Sequence, residues 1–392
     1  MASSNGRQEF SGDHTPVNQQ QQMNKTTLSS NLSREEIVHL LSVTGEEQQQ
    51  LFAHSSAIKQ QHLGNRVYLR GLIELSNICG KDCYYCGIRR SNRETNRYTL
   101  THEEVMHAVR SAHRQGFGSV AIQSGEIATK AFIGKIDAII REIKKVTNGE
   151  TGITLSCGEQ TEETYRRWFE SGADRYLLRI ETSSEKLYKR LHPDDALHSY
   201  YGRLKALEAL RKTGYQTGTG VMIGLPFQTT GDLADDLLFM RQFDIDMCGM
   251  GPYIEHAHTP LWAFRDQLLP LAERLSLALR MISLLRILMP DINIAATTAL
   301  QAIEKEGREK AILAGANVLM PNITPLKQRE DYFLYENKPL SARSDEEELH
   351  YLDRQLKAIG HEIGYFLQGN SLHYNKTART TIQQETPDTD TL

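Results

Sequence analysis

From Asn65 to about residue 340 one theme recurs along the chain: a short β-branched run, a polar loop, then an amphipathic helix. The runs fall at 68–75, 119–123, 152–157, 175–180, 218–223, 246–250, 293–296 and 317–320, eight in all. Helical periodicity fills the gaps at 101–115, 129–145, 161–171, 195–213, 231–243, 271–288 and 302–314. Gly116, Gly172, Gly214 and Gly315 stand just past four of these, where a helix ends in a left-handed residue. Alternating strands and helices pair in parallel through right-handed crossovers. Eight such units over about 255 residues match an α/β fold closed as a (β/α)8 TIM barrel. An open doubly wound sheet, the runner-up, normally uses fewer strands.

Either side of the barrel (65–340) the pattern changes. Residues 31–64 read as an N-terminal helical extension, with Ser33 and Glu36 spaced as a capping box. Residues 341–368 hold a C-terminal helix. Residues 1–30, which include a glutamine run at 19–22, and residues 369–392 are polar and predict disordered tails. With 49 acidic against 45 basic side chains, the net charge is −4, which gives no footprint for nucleic acid. No apolar run reaches the ~18–20 residues that span a bilayer. The first residues lack the apolar core of a secretory signal, and Glu9 and Asp13 argue against a transit peptide. Five cysteines are too few for a disulfide framework in 392 residues, so a reducing cytoplasmic setting is expected.

Three of those five, Cys79, Cys83 and Cys86, lie within eight residues directly after the first strand. In such a barrel that position is the catalytic end. Three thiolates on one loop can hold three corners of a cuboidal iron–sulfur cluster, and nothing nearby supplies a fourth. The alternative is structural zinc, which wants four ligands; Cys157 and Cys248 are distant in sequence, and His102 would have to reach back. Polar groups mark the other strand ends: Ser124-Gly125-Glu126, Thr154 with Cys157-Gly158-Glu159, Arg179 and Glu181 flanking Ile180, and Thr297-Thr298. Because Thr297 and Thr298 are adjacent at a strand end, one of them is expected to face away from the pocket.

The spacing Cys-x3-Cys-x-aromatic-Cys, with Tyr85 as the aromatic, resembles the signature of radical S-adenosylmethionine enzymes. Further blocks narrow the resemblance to the HydE family of FeFe-hydrogenase maturases. They are Cys83–Arg90, Ile122–Glu126, Ala173–Thr182, Val221–Pro226, Gly249–Pro252, Ala295–Ala299 and Gly315–Asn322, in the family's order over about residues 60–340. Methylornithine synthase and biotin synthase are similar. A non-catalytic iron–sulfur or zinc protein is the reading from a different class.

The resemblance implies a 4Fe-4S cluster on the three cysteines, which serve as both metal ligands and catalytic residues. Its open iron would be chelated by S-adenosylmethionine, which is cleaved reductively to methionine and a 5′-deoxyadenosyl radical. It implies cofactor contacts from Tyr85 near the adenine, Gly125 and Glu126 at the methionine amino group, Glu181 at the ribose or sulfonium side, and Arg203 at the carboxylate. Ser124, Thr154, Arg179, Thr297, Thr298 and Tyr332 would form a pocket for a small carboxylate-bearing or organometallic substrate, with Tyr335 beside Tyr332. The implied partners are a one-electron donor and the HydF and HydG maturases, with no nucleic acid and no membrane. Some HydE-like proteins carry later cysteines for a second cluster. Here none follows Cys248, which leaves that second cluster without ligands.

Overall fold

The computed structural model describes residues 30–340 and 343–376. Its strands are β1 (Arg66–Ser76), β2 (Ser119–Ser124), β3 (Gly152–Ser156), β4 (Arg175–Leu177), β5 (Gln216–Thr219), β6 (Met222–Ile223), β7 (Met247–Cys248), β8 (Gly251–Pro252), β9 (Asn293–Ala296), β10 (Val318–Leu319) and β11 (Glu362–Ile363). Eight of them run parallel in the order β10-β9-β7-β5-β4-β3-β2-β1, and β10 pairs with β1 to close the barrel. The predicted fold is therefore present, with each expected run contributing a strand. The four glycines expected beyond helices all take positive φ, from 88° to 130°.

Three strand ends depart from the even pattern. β4 stops at Leu177 rather than residue 180, because Glu181 turns to φ 68° and pairs with Val221 outside the ladder. The runs expected at 218–223 and 246–250 each break at a glycine, giving β5 then β6 and β7 then β8. At that break a Cβ on Gly220 would sit 2.1 Å from the carbonyl oxygen of Gly249, so the two backbones touch. Beyond the break the two strands stay paired in parallel, β6 with β8.

Helix boundaries also shift. The stretch expected at 195–213 is a 3-10 turn, Ala196–His198, followed by Tyr200–Thr213 capped by Ser199. Ahead of it lies Glu185–Leu191, an unexpected helix capped by Ser184. Pro193 separates the two, since proline disfavours helix at the residue before it. The stretch at 302–314 is likewise two helices, Thr298–Ile303 and Gly307–Leu313.

Leu271–Leu288 is apolar almost all round because it is covered twice, by the barrel on one side and by Arg34–Ser42 and Gly45–Leu63 on the other. Ser33 and Glu36 form the expected capping box. Two polar stitches fasten the extension: Ser55 Oγ donates to the Ala314 carbonyl at 2.8 Å, and Lys59 Nζ to that of Ile312 at 2.7 Å.

The C-terminal part needs correction. The helix is Asp345–Ala358, but β11 follows it and pairs with the start of β1. The tail expected from residue 369 is ordered to Lys376. Gly369 accepts from Arg70 and Asn293, and the Asn370 side chain accepts from Arg175 and Gln216. These partners are inward-facing side chains at the closed end of the barrel, and buried donors there need acceptors. Residues 368–371 supply them. The tails at 1–29 and 377–392 lie outside the described residues.

Candidate active site

The loop after β1 is held in shape by its own polar side chains. Asn77 donates to the carbonyls of Asn96 and Asp331, both at 2.7 Å, and accepts from the Tyr98 amide. Arg97 is the hub: its guanidinium reaches the carbonyls of Asn77, Ile88, Arg89 and Asn92 at 2.5–2.9 Å. Asp82 accepts from the Ser91 amide and hydroxyl and pairs with Arg89 at 2.8 Å. So anchored, the loop presents Cys79, Cys83, Tyr85 and Cys86 to one cavity.

Burial pushes all three thiols above their ordinary value, Cys83 to about 12 despite Arg203 nearby. Thiols so desolvated ionise when a cation takes the proton's place, which suits them to iron. The zinc alternative finds no support in position. Cys157 is buried with its sulfur towards the Ile122 carbonyl, Cys248 is buried against Met240, and His102 pairs with Glu142. Among the described residues no three His, Cys, Asp or Glu side chains converge to hold one metal ion.

Beside the thiols lies a buried quartet of charges. Lys81 pairs with Glu126 at 3.1 Å and Glu159 at 3.2 Å, and Arg203 Nε pairs with Glu159. Glu126 also accepts from the Glu159 amide at 2.9 Å. Burial alone would raise the Glu159 carboxyl, but Arg203 and Lys81 outweigh it and hold it below its ordinary value. At Glu126 burial wins and the shift is upward. Arg203 Nη1 donates to the Arg179 carbonyl at 2.6 Å, so Nη2 is the nitrogen left to meet a ligand.

The cavity is about 330 Å³ and open on one side. Thirteen of the fourteen residues expected at the site line it: the three cysteines, Tyr85, Ser124, Gly125, Glu126, Arg179, Glu181, Arg203, Thr297, Thr298 and Tyr332. Arg179 Nη2 and Glu181 Oε2 pair at 3.1 Å, while Arg179 Nε is buried without a hydrogen-bond partner. Glu181 also carries the positive φ noted above, a conformation that surrounding structure must impose; its amide donates to Gly220 and its carbonyl accepts from Met222.

Thr154 is the exception. It lies one inward-facing layer below Ser156 on β3, is buried, and its hydroxyl has no partner. Ser156 lines the cavity in its place. Both threonines of the Thr297-Thr298 pair line the cavity, contrary to the alternation expected. β9 ends at Ala296, and Thr298 opens a helix, so strand alternation no longer applies. Thr298 Oγ meets the Tyr335 hydroxyl at 2.8 Å. Lys81 and Arg97 were missing from the expected set, and Glu159 was marked there only as a strand-end carboxylate without a role. Lys81 sits between two cluster cysteines in sequence, which was the one signal available for it.

Comparison with known proteins agrees with this geometry. The Radical SAM superfamily pattern matches residues 73–240. The FeFe hydrogenase maturase subunit HydE of Thermotoga maritima is 41% identical over 314 residues, covering 80% of this chain and 86% of that protein. The 3-methylornithine synthase of Methanosarcina barkeri is 28% identical over 82% of this chain and 85% of that protein. Among solved structures, methylornithine synthase (PylB) superposes with TM-score 0.72 at 24% identity, covering 86% of this chain and 95% of that one. The maturase HydG also gives 0.72, at 21% identity over 89% and 77%. These two likenesses speak for the fold. The identity to HydE over most of both chains speaks for the family, and the family implies an iron–sulfur cluster and S-adenosylmethionine. The chain is a radical S-adenosylmethionine enzyme belonging to the HydE family.

Proposed function

We propose that the chain serves in assembly of the FeFe-hydrogenase H-cluster, with Cys79, Cys83 and Cys86 ligating a 4Fe-4S cluster whose fourth iron site is left for S-adenosylmethionine. When bound, the pair supplies one-electron reductive cleavage to methionine and a 5′-deoxyadenosyl radical. The observation that carries the reading is the grouping of the Cys79, Cys83 and Cys86 thiols with Lys81, Glu126, Glu181 and Arg203 on one cavity of a barrel rim.

The remaining roles follow from what each side chain can offer. Tyr85 provides an aromatic wall for the adenine. The Gly125 and Glu126 carbonyls face an amino group, and Glu181, which lines the cavity, faces the ribose or sulfonium side. Arg203 Nη2 meets the carboxylate of the cofactor, since a guanidinium reads carboxylates well. Arg179, Ser124, Thr297, Thr298 and Tyr332 hold a small carboxylate-bearing or organometallic substrate in a cavity that limits water, so that a reactive radical meets it first. HydF, HydG and a one-electron donor are the partners, and the cytoplasm is the setting. No helix among the described residues is long and apolar enough to cross a membrane.

The test is functional replacement. Added to hydrogenase maturation that has HydF and HydG but lacks HydE, the loaded protein should restore hydrogen evolution, and Cys83→Ala should not. Consumption of lysine with no restoration would instead mark a methylornithine synthase.

A further inference from the structure

An unbroken file of aromatic rings runs from the cavity wall to the surface. Tyr85 meets His192 edge-on with ring centroids 5.4 Å apart. His192 stacks on Tyr188 at 3.9 Å, Tyr188 meets Tyr200 at 5.4 Å, and Tyr200 meets Tyr201 at 5.5 Å. Tyr85 lines the cavity, and Tyr201 at the far end is 58% exposed. The file runs through the unexpected helix Glu185–Leu191 and the start of Tyr200–Thr213.

The hydrogen bonds grade these rings. His192 Nδ1 lies 2.9 Å from the Tyr188 carbonyl and so carries the hydrogen, which leaves Nε2 as an acceptor 3.3 Å from the Tyr85 hydroxyl. At the other end the Tyr201 hydroxyl donates to the Glu185 carboxylate at 2.8 Å. Each terminal hydroxyl therefore has an acceptor, and at Tyr201 that acceptor is a carboxylate able to keep the proton that leaves when the phenol is oxidised. Tyr188, in the middle, is buried and its hydroxyl has no partner. It can pass an electron through its ring but is a poor place for a radical to rest. Tyr200 donates to the Ser183 carbonyl at 2.6 Å, a group that cannot accept the proton outright.

We propose that this file is a discharge route that rescues the enzyme when a carbon radical in the cavity fails to find its substrate. The inference rests on the radical chemistry proposed above. The Tyr85 O–H bond breaks, a C–H bond forms on the carbon radical, and Tyr85 is left as a neutral phenoxyl radical. An electron then moves inward along the rings from Tyr201, whose proton passes to Glu185. Tyr85 takes its proton back from water entering the open side of the cavity that it lines, because His192 Nε2 carries no hydrogen to give. The radical now sits on exposed Tyr201, where a small thiol in solution gives up a hydrogen atom and is oxidised. A purely structural stack would need the rings but not the hydroxyls, and it would have no use for an oxidisable side chain at its exposed end.

Tyrosine-to-phenylalanine replacement separates the two, because it keeps the ring and removes the phenol. Cluster-loaded protein would be reduced, freed of excess reductant, and mixed with S-adenosylmethionine and a nitroso spin trap, without substrate or thiol. 5′-Deoxyadenosine would be quantified, tyrosyl radical followed by electron paramagnetic resonance, and trap adducts located by peptide mass mapping. The expected adduct is on Tyr201. In Tyr201→Phe it should move inward and the radical signal should persist several-fold longer. Tyr188→Phe should behave as the parent, whereas Tyr188→Leu should lose the Tyr201 adduct. Normal 5′-deoxyadenosine with no adduct on Tyr201, or an unchanged radical in Tyr201→Phe, would overturn the route alone. Absence of 5′-deoxyadenosine from a reduced cluster would instead sink the radical reading, and the route with it.

Discussion

A methyl group on Gly125 would stand 2.2 Å from the Ile78 carbonyl oxygen and 2.9 Å from Cys79 Cβ, so the loop after β2 and the cysteine loop are in backbone contact. That contact also carries hydrogen bonds, from the Gly80 amide to the Glu126 carbonyl at 2.8 Å and from the Glu126 amide to Cys79 Sγ at 3.3 Å. Gly125→Ala must therefore push the cysteine loop away. A backbone shift of this kind costs about 1–3 kcal/mol, and the larger effect falls on the site: iron content after anaerobic reconstitution should drop well below that of the parent. Retention of full iron would show that the loop tolerates the displacement. At this scale the sequence was most informative where a residue type has few uses, as with clustered cysteines. It was least informative for Arg97 and Glu159, whose roles depend on partners brought together by the fold from distant positions.

Segment 331–338 closes one side of the cavity with Tyr332, Leu334 and Tyr335, and its attachment is a buried ion pair. Lys338 Nζ meets Glu74 Oε1 on β1 and donates to the Tyr332 carbonyl, while Asn322 donates to the other Glu74 oxygen. The Leu334 carbonyl accepts from the Gly87 amide, directly after Cys86. Removing one partner of such a pair leaves a buried charge, so Lys338→Met should cost about 3–5 kcal/mol. Pairing it with Glu74→Gln should recover much of that in denaturant unfolding. If the single and double variants are equally unstable, the pair is not what fastens the segment. A second element carries a pH signature. Asp236 is fully buried and accepts from the Ser183 amide and hydroxyl, and burial raises its carboxyl to about 7. The folded state holds this proton more tightly than the unfolded chain does. Its contribution is therefore complete below about pH 4 and is lost as pH rises towards 7. Unfolding free energies of Asp236→Asn should lack that fall between those limits; an identical slope would contradict the assignment.

For the whole molecule, the eight-fold alternation was legible because the barrel strands are buried on both faces and most of the helices, Leu271–Leu288 apart, on one. What escaped was everything set by closure. The breaks after β5 and β7 fall where Gly220 of one unit touches Gly249 of the next, and residues 368–371 matter because inward-facing Arg70, Arg175, Gln216 and Asn293 need acceptors. The C-terminal segment is fastened further by His373, between Asp291 at 3.2 Å and Asp244 at 2.8 Å, with its imidazole raised to about 9 chiefly by the hydrogen bond to Asp291. A raised imidazole stabilises fully below about pH 6.5, and that stabilisation is lost as pH climbs to 9. Melting temperature should fall across this range, and His373→Ala should flatten the fall; parallel curves would place the segment's stability elsewhere.

The radical chemistry depends on three cysteines forming a cluster site whose open iron takes S-adenosylmethionine. The most direct measurement is 5′-deoxyadenosine formed per cluster when anaerobically reconstituted, dithionite-reduced protein is given S-adenosylmethionine. The account predicts product from the parent chain and none from Cys83→Ala, which should also lose its iron. A reduced, fully loaded cluster that yields no 5′-deoxyadenosine, or Cys83→Ala that retains both iron and product, would contradict it.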